Sequence, residues 1–430
     1  MRTRFLLFTI VLWALYSCVD NPQDFLEQDV VLHQTRNLEG DINIVATLED
    51  ITAPAAVPLQ EIIIKYHPWV TEEAKHELRV AYDVVDYKTC DCSGPTKVYE
   101  LWKMGPQINI EPTTKVIRKK NEDEVEMAVP NQSFTTPVSH TMTHEDDSMN
   151  EHYTNHNDDV NNHTSKIVSS NSGVSIAVLD TGIDPSFSVF STPFLYDSSV
   201  TGACNEPSGY DFVNRNANAF DDDPLKHGSA VSYVIYNELT SRNIPFQILP
   251  VKVADAQGKS TFFWTFCGLL YAIHHNVDVI NMSLGWTSYD PHAHAMFSQL
   301  IGSTSAIIVA SAGNNDSDND LIPHYPSNFQ HSNVISFAAS NVDQTSATIY
   351  SNYGANTVDF FAVGNKIYFP LLPTQNVVSH NGTSYAAPLG TSRVAELILG
   401  NYGDMIAALR QEFSVRVSFT KQVIYSELIE

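Results

Sequence analysis

The chain has 430 residues, an apolar share of 43%, and 49 acidic against 24 basic side chains, for a formal charge of −25 at pH 7. That length and apolar share suffice for one large domain and a smaller one. The acidic surplus excludes nucleic acid as an expected partner and excludes electrostatic docking on anionic lipid.

Residues 1–17 read as a signal peptide. Arg2 and Arg4 precede an apolar run from Phe5 to Tyr16 that is too short to span a bilayer. The ending Leu15-Tyr16-Ser17-Cys18 resembles a bacterial lipobox. On that reading Cys18 carries lipid and anchors an exported chain to a membrane; the competing reading is an ordinary cleaved signal. Cys90, Cys92, Cys204 and Cys267 would then face an oxidising compartment, where two disulfides can form without being demanded. Cys90 and Cys92 sit too close for an easy mutual bridge. Cys267 falls on an apolar helical face, which suits a buried thiol as well as a bond.

Residues 58–118 form a small α+β unit by pattern. "EIIIKY" (61–66), "VVDYKTC" and "KVYELWKM" read as strands. "VTEEAKHELRVAY" (70–82) reads as a helix capped by Thr71, with Glu72 and Glu73 in its first turn and Ala74, Leu78, Ala81 and Tyr82 on one face. Residues 121–168 change character. Ten acids and no lysine or arginine fall between Asn121 and Ser165, a composition that cannot offset its own ordering entropy, so a disordered linker is expected. Its histidines, His140, His144, His152, His156 and His163, could bind a metal loosely or stand as plain solvated residues.

Residues 170–430 alternate strands with helices. "VSIAVLD", "QILPVKV", "VDVINMS", "SAIIVASA", "NVISFAAS" and "TVDFFAV" are apolar on both faces, as strands covered on both sides must be. The expected class is α/β, a mainly parallel sheet with helices on both faces, whose site lies at the carboxyl ends of the strands. Four polar residues stand there. Asp180 ends the first strand, His227 opens a helical run, Asn314 follows a strand, and Ser384 opens the helix after "HNG". Acyl transfer needs these types: a hydroxyl nucleophile, a histidine base, a carboxylate that fixes the imidazole tautomer, and donors for the oxyanion.

The motifs around them resemble those of the subtilisin-like serine peptidases, the subtilases. "VLDTGID" resembles the family's aspartate motif and "HGSAV" its histidine motif, with Ser229 for the usual threonine and Ala230 for a second histidine. "NGTSYAAP" resembles the serine motif, with Tyr385 where methionine is common, and the order Asp, His, Ser is the family's. "ASAGNN" carries the oxyanion-hole asparagine, and "VINMSLG" resembles the strand that pairs with substrate, implying contacts from Ser283, Leu284 and Gly285. The resemblance covers about residues 170–400. It implies a serine endopeptidase acting through an acyl-enzyme, with polypeptide substrates and no required cofactor. It also suggests residues 58–118 as a propeptide, and cleavage near 121–170 would then free the catalytic domain from its anchor. A catalytically silent surface lipoprotein that binds polypeptides in the same groove is the alternative. A monomer is expected. Calcium stays open through Asp316, Asp318 and Asp320 in "DSDND", although the glycine and distal glutamate of a calcium loop are missing.

Overall fold

The computed structural model describes residues 33–36, 42–45, 57–92, 97–135, 142–143, 173–187, 189–190, 195–196, 208–371 and 376–430. The expected signal peptide, Cys18, Cys204 and most of the expected linker lie outside the described residues. Residues Met1–Val45 form one compact unit, in which β1 (His33–Arg36) pairs antiparallel with β2 (Ile42–Val45). Ala46–Glu430 form a second unit, built as two layers.

The first layer is an antiparallel sheet of β3 (Val57–Tyr66), β4 (Val84–Thr89), β5 (Tyr99–Met104) and β6 (Val125–Thr135), in the order β6-β3-β5-β4. Two helices cover it, α1 (Glu72–Ala81) and α2 (Ile110–Lys120). Thr71 caps α1 as expected, accepting from the Ala74 amide. The buried face differs from the expected one. Lys75 and Arg79 turn inward beside Leu78, because Arg79 reaches the buried Glu100 at 2.7 Å and Lys75 reaches Glu72 at 2.8 Å. Paired in this way, the two cations tolerate burial that they would not tolerate alone. The layer also outruns its expected end at 118. Helix α2 and strand β6 belong to it, so residues 121–135 are folded rather than part of a linker. Strand β6 buries Val125, Ala128, Val129, Asn131, Ser133 and Phe134, enough apolar surface to hold an acidic segment in place.

The second layer carries the longer sheet. Its strands are β8 (Val174–Asp180), β9 (Tyr210–Asp211), β10 (Phe246–Lys252), β12 (Val279–Met282), β13 (Ile307–Ser311), β14 (Val334–Ser340), β15 (Phe360–Val363), β18 (Ser414–Arg416) and β19 (Glu427–Ile429). Their order is β18-β19-β15-β14-β13-β12-β8-β10-β9, parallel except for the β18–β19 pair. This is the expected α/β class. The helices are α3 (His227–Ser241), α4 (Phe262–His274), α5 (Pro291–Ile301), α6 (Thr383–Leu399) and α7 (Met405–Glu412). One apolar core packs α4 and α5 on one side of the sheet, and another packs α3, α6 and α7 with different strand side chains. Side strands β16 (Ile367–Leu371), β17 (Asn376–His380) and β7 (Met142–Thr143) form a small separate sheet. Among the described residues no helix is long and apolar enough to cross a membrane.

The layers share structure. A short strand of the second layer, β11 (Lys259–Thr261), joins the first sheet by pairing antiparallel with the end of β6. Ile63, Leu101 and Val129 of the first layer lie in the same apolar core as Phe262, Phe266 and Phe297 of the second.

Candidate active site

The site grows from a break in the order of the sheet. Chain order takes β8 to β10 on one side, and then crosses to β12 on the other. Such a reversal opens a crevice beyond the carboxyl ends of the strands. Asp180, the last residue of β8, stands at that point, fully buried. Gly182 then turns the chain with φ at +113°, and a Cβ there would fall 2.5 Å from the Ala219 carbonyl oxygen. Only glycine meets both demands. The Thr181 hydroxyl accepts from the Gly228 amide at 2.9 Å, which pins the start of α3 to the end of β8.

His227 is the first residue of α3. Its amide donates to Asp223 Oδ2 at 2.9 Å, and its Nδ1 meets Asp180 Oδ1 at 2.7 Å. The second bond fixes the tautomer that leaves Nε2 facing the crevice. Burial presses the imidazole toward its neutral form. The Asp180 carboxylate and its hydrogen bond, with Asp223 and Asp221 behind, outweigh that and raise the pKa to about 9. Ser229 organises the same corner: its hydroxyl donates to Asp221 at 2.7 Å and accepts from the Asp184 amide at 2.9 Å. Burial first, with nearby Asp223, lifts Asp221 to about 6 despite those bonds.

Ser384 is the second residue of α6 and is 2% exposed. A helix start favours negative charge, since its amides lack partners within the helix. The Ser384 hydroxyl donates to the Ser283 carbonyl oxygen at 3.2 Å, and among the described residues His227 Nε2 has no hydrogen-bond partner. The histidine and serine thus belong to one corner without the bond between them. The tie between their helices is Tyr385, whose ring centroid lies 5.6 Å from that of His227.

Asn314 follows β13 and is aimed by its own acceptor. Oδ1 takes the Thr383 amide at 2.8 Å and the Thr383 hydroxyl at 2.9 Å, so Nδ2 points the other way. A Cβ placed on Gly382 would lie 3.2 Å from Asn314 Nδ2 and 3.6 Å from the Ser384 amide nitrogen. Two donors therefore converge on one small space. Ser283 is locked from both directions: Asn281 Nδ2 donates to its hydroxyl at 3.0 Å, which donates to the Ser384 carbonyl at 2.8 Å. Leu284 is buried, and a Cβ on Gly285 would meet His324 Cε1 at 2.2 Å, so the segment has no room for a side chain there.

Other candidates fall elsewhere. Asp316 pairs with Lys421 at 2.6 Å, while Asp320 takes Thr357 at 2.6 Å and Asn356 at 2.7 Å. Among the described residues no group of three His, Cys, Asp or Glu side chains could hold a metal ion. The linker histidines lie outside the described residues. Three site partners escape sequence reasoning. His380 sits at the end of β17 with Nδ1 2.9 Å from the Tyr385 hydroxyl; burial, and then the charge of His227, push its pKa down to about 3. Asp223 is a second. The third is the buried pair Phe262 and Trp286, against which Phe134 packs with ring centroids 6.2 and 5.2 Å away. The "DDD" run before His227 could have flagged Asp223; nothing local marks the others.

A carboxylate-paired histidine beside a buried helix-start serine, at the switch point of a parallel sheet, defines the class as an α/β protein with a hydrolase-type corner. A family model described as "Subtilase family" matches residues 171–414, more than half of the chain, and the chain belongs to that family. It is 31% identical over 233 residues to the "Cell wall-associated protease" of Bacillus subtilis (strain 168), covering 53% of this chain and 24% of that protein. It is 30% identical over 238 residues to "Subtilisin amylosacchariticus" of Bacillus subtilis subsp. amylosacchariticus, covering 54% and 56%. It is 28% identical over 223 residues to the "Intracellular serine protease" of Paenibacillus polymyxa, covering 50% and 64%. The chain thus spans less than two thirds of the length of each of these relatives. A solved structure titled "Crystal structure of a cold adapted subtilisin-like serine proteinase" aligns with a TM-score of 0.44 at 23% identity, over 59% of this chain and 89% of that one.

Proposed function

We propose that this chain is a serine endopeptidase that hydrolyses polypeptides through an acyl-enzyme. The observation that carries the reading is the 2.7 Å Asp180–His227 bond beside a serine whose amide shares one space with Asn314 Nδ2. In this reading Ser384 is the nucleophile and His227 the base, with Asp180 holding the imidazole. Asn314 and the Ser384 amide stabilise the oxyanion. The serine must first rotate from the Ser283 carbonyl toward His227 Nε2, and the histidine must shed its proton. Ser283, Leu284 and Gly285 supply the edge along which substrate backbone lies. Every group comes from the chain itself, so the chemistry needs no cofactor.

Labelling by a fluorophosphonate tests this, because only an activated serine reacts. The expected result is one label on Ser384, lost in Ser384→Ala. A folded, fully processed chain that never labels would overturn the reading.

The first layer, residues 57–135, acts in this proposal as an inhibitory propeptide. Support comes from β6, whose end pairs with β11 as an extended chain and places Phe134 against Phe262 and Trp286. Export, a lipid on Cys18 and a place outside the cytoplasm complete the proposal. They rest on the N-terminal residues and on a relative named for the cell wall. Globomycin-sensitive lipid incorporation that disappears in Cys18→Ala checks the anchor.

A further inference from the structure

We infer that the first layer is not released by cutting the linker, because the structure joins it covalently to the catalytic layer, and that release requires a thiol reductant. The inference rests on the proposed inhibitory role of that layer. Its carrier is the Cys90–Cys267 disulfide, which spans 177 residues with Cα atoms 5.2 Å apart. Cys90 follows β4, the edge strand of the first sheet, while Cys267 lies on α4 of the catalytic layer. Cys92, two residues on, is disulfide-bonded as well.

The bond sits where a latch is useful. At one edge of the first sheet, β6 pairs with β11 of the catalytic layer. At the other edge, Cys90 bonds Cys267, and the adjacent Asp91 takes Arg215 in a two-pronged pair at 2.7 and 2.9 Å. Tyr99 packs on Phe266 between them, ring centroids 4.7 Å apart. A cut between 136 and 168 severs the peptide connection and leaves both edges fastened. The tethered β6 strand then rebinds its groove as an intramolecular event, at an effective concentration around millimolar for a short link. It competes with substrate far better than a free fragment would. A dithiol changes this. Its thiolate attacks one sulfur, the Cys90–Cys267 bond breaks, both cysteines gain protons, and the reductant leaves as its own disulfide; a second equivalent opens the Cys92 bond in the same way. If Cys18 carries lipid, the same bond keeps the cut catalytic layer on the membrane.

The test uses the full chain carrying Ser384→Ala and an inserted site for an external protease near residue 150. After the cut, a denaturing gel without reductant should show one species of full size, and with dithiothreitol two fragments. On gel filtration at nanomolar concentration the cut chain should elute whole, and separate after reduction. Two fragments without reductant, or fragments that stay together after reduction and dilution, would each overturn the latch. In the Ser384 chain, cutting alone should raise fluorophosphonate labelling little, and added dithiothreitol should raise it at least tenfold. A Cys90→Ser/Cys92→Ser chain should label fully after the cut and ignore the reductant. Full labelling of the disulfide-bonded chain by cutting alone sinks the latch. Separation on reduction with Ser384 still unlabelled leaves the latch standing and sinks the peptidase reading instead.

Discussion

Two buried carboxylates, one in each layer, treat their oxygens differently. Glu100 in the first layer is 1% exposed and spends both. Oε1 takes Arg79 at 2.7 Å, while Oε2 takes the Tyr66 hydroxyl at 2.9 Å and Trp102 Nε1 at 2.8 Å. Burial, and then the Glu100 charge, push the Tyr66 phenol far above its ordinary range, so it stays a donor at every working pH. Asp180 in the catalytic layer spends Oδ1 on His227 and on the Thr181 amide. Among the described residues, its Oδ2 and the outer nitrogen of His227 have no hydrogen-bond partner. The closed network is a strut, since hydrogen bonds to both oxygens offset much of the cost of burying the charge. The open one costs stability that nothing in the fold recovers. Open polar atoms at a strand-end crevice are what a reacting group needs, and this separates a site from a brace.

The sharpest way to break that contrast is to delete His227. His227→Ala should lower the rate of Ser384 acylation by about five to six orders of magnitude while leaving the melting temperature near that of Ser384→Ala. A modest rate loss with a large stability loss would make the Asp180–His227 pair a second brace. Next in size is the converse change. Glu100→Ala strands Arg79, Tyr66 and Trp102 in the core and should cost about 3–5 kcal/mol, read by denaturant unfolding in the Ser384→Ala background. Labelling per folded molecule should not change.

The contrast also marks how far sequence could reach. The strands of the catalytic sheet declare themselves through doubly apolar runs, and each appears within two or three residues of its expected place. Asp180, His227, Asn314 and Ser384 were visible because they interrupt apolar runs at strand ends and helix starts, although the fold buries all four. Strand β6 was hidden because Val125–Thr135 begins among acids and runs into a polar stretch after it. Helix α2 carries Pro112 in its first turn, where a missing N–H costs little. Cysteine pairing is set by distance in space, which "CDC" and a lone Cys267 cannot express. The inward turn of Arg79 depends on Glu100, more than twenty residues away on another strand.

A smaller effect sharpens the site itself. Asn314→Asp keeps an acceptor for Thr383 but removes the Nδ2 donor, so the fold should survive. The acylation rate should fall by about 10²–10³, or roughly 3–4 kcal/mol, with KM little changed. Asn314→Ala should match it in rate and fall below it in melting temperature, since it also releases the Thr383 amide. Equal rates for Asn314→Asp and the parent would remove Asn314 from the oxyanion site.

The smallest expected effect is on pH, and it comes from His227. His227 is held above its ordinary 6.5, at about 9. Its charged pair with Asp180 therefore contributes fully below pH 6.5, and that contribution fades as pH climbs through 9. Acylation needs the opposite form, because only the neutral imidazole accepts the serine proton, so activity should rise over the window in which this stability is lost. Burial lifts Asp221 and Asp359 to about 6, below the pH at which His227 loses its proton. Melting temperatures of Ser384→Ala between pH 6.5 and 9.5 should fall, and adding His227→Gln should flatten that fall. A slope that survives His227→Gln would assign the pH dependence to another group.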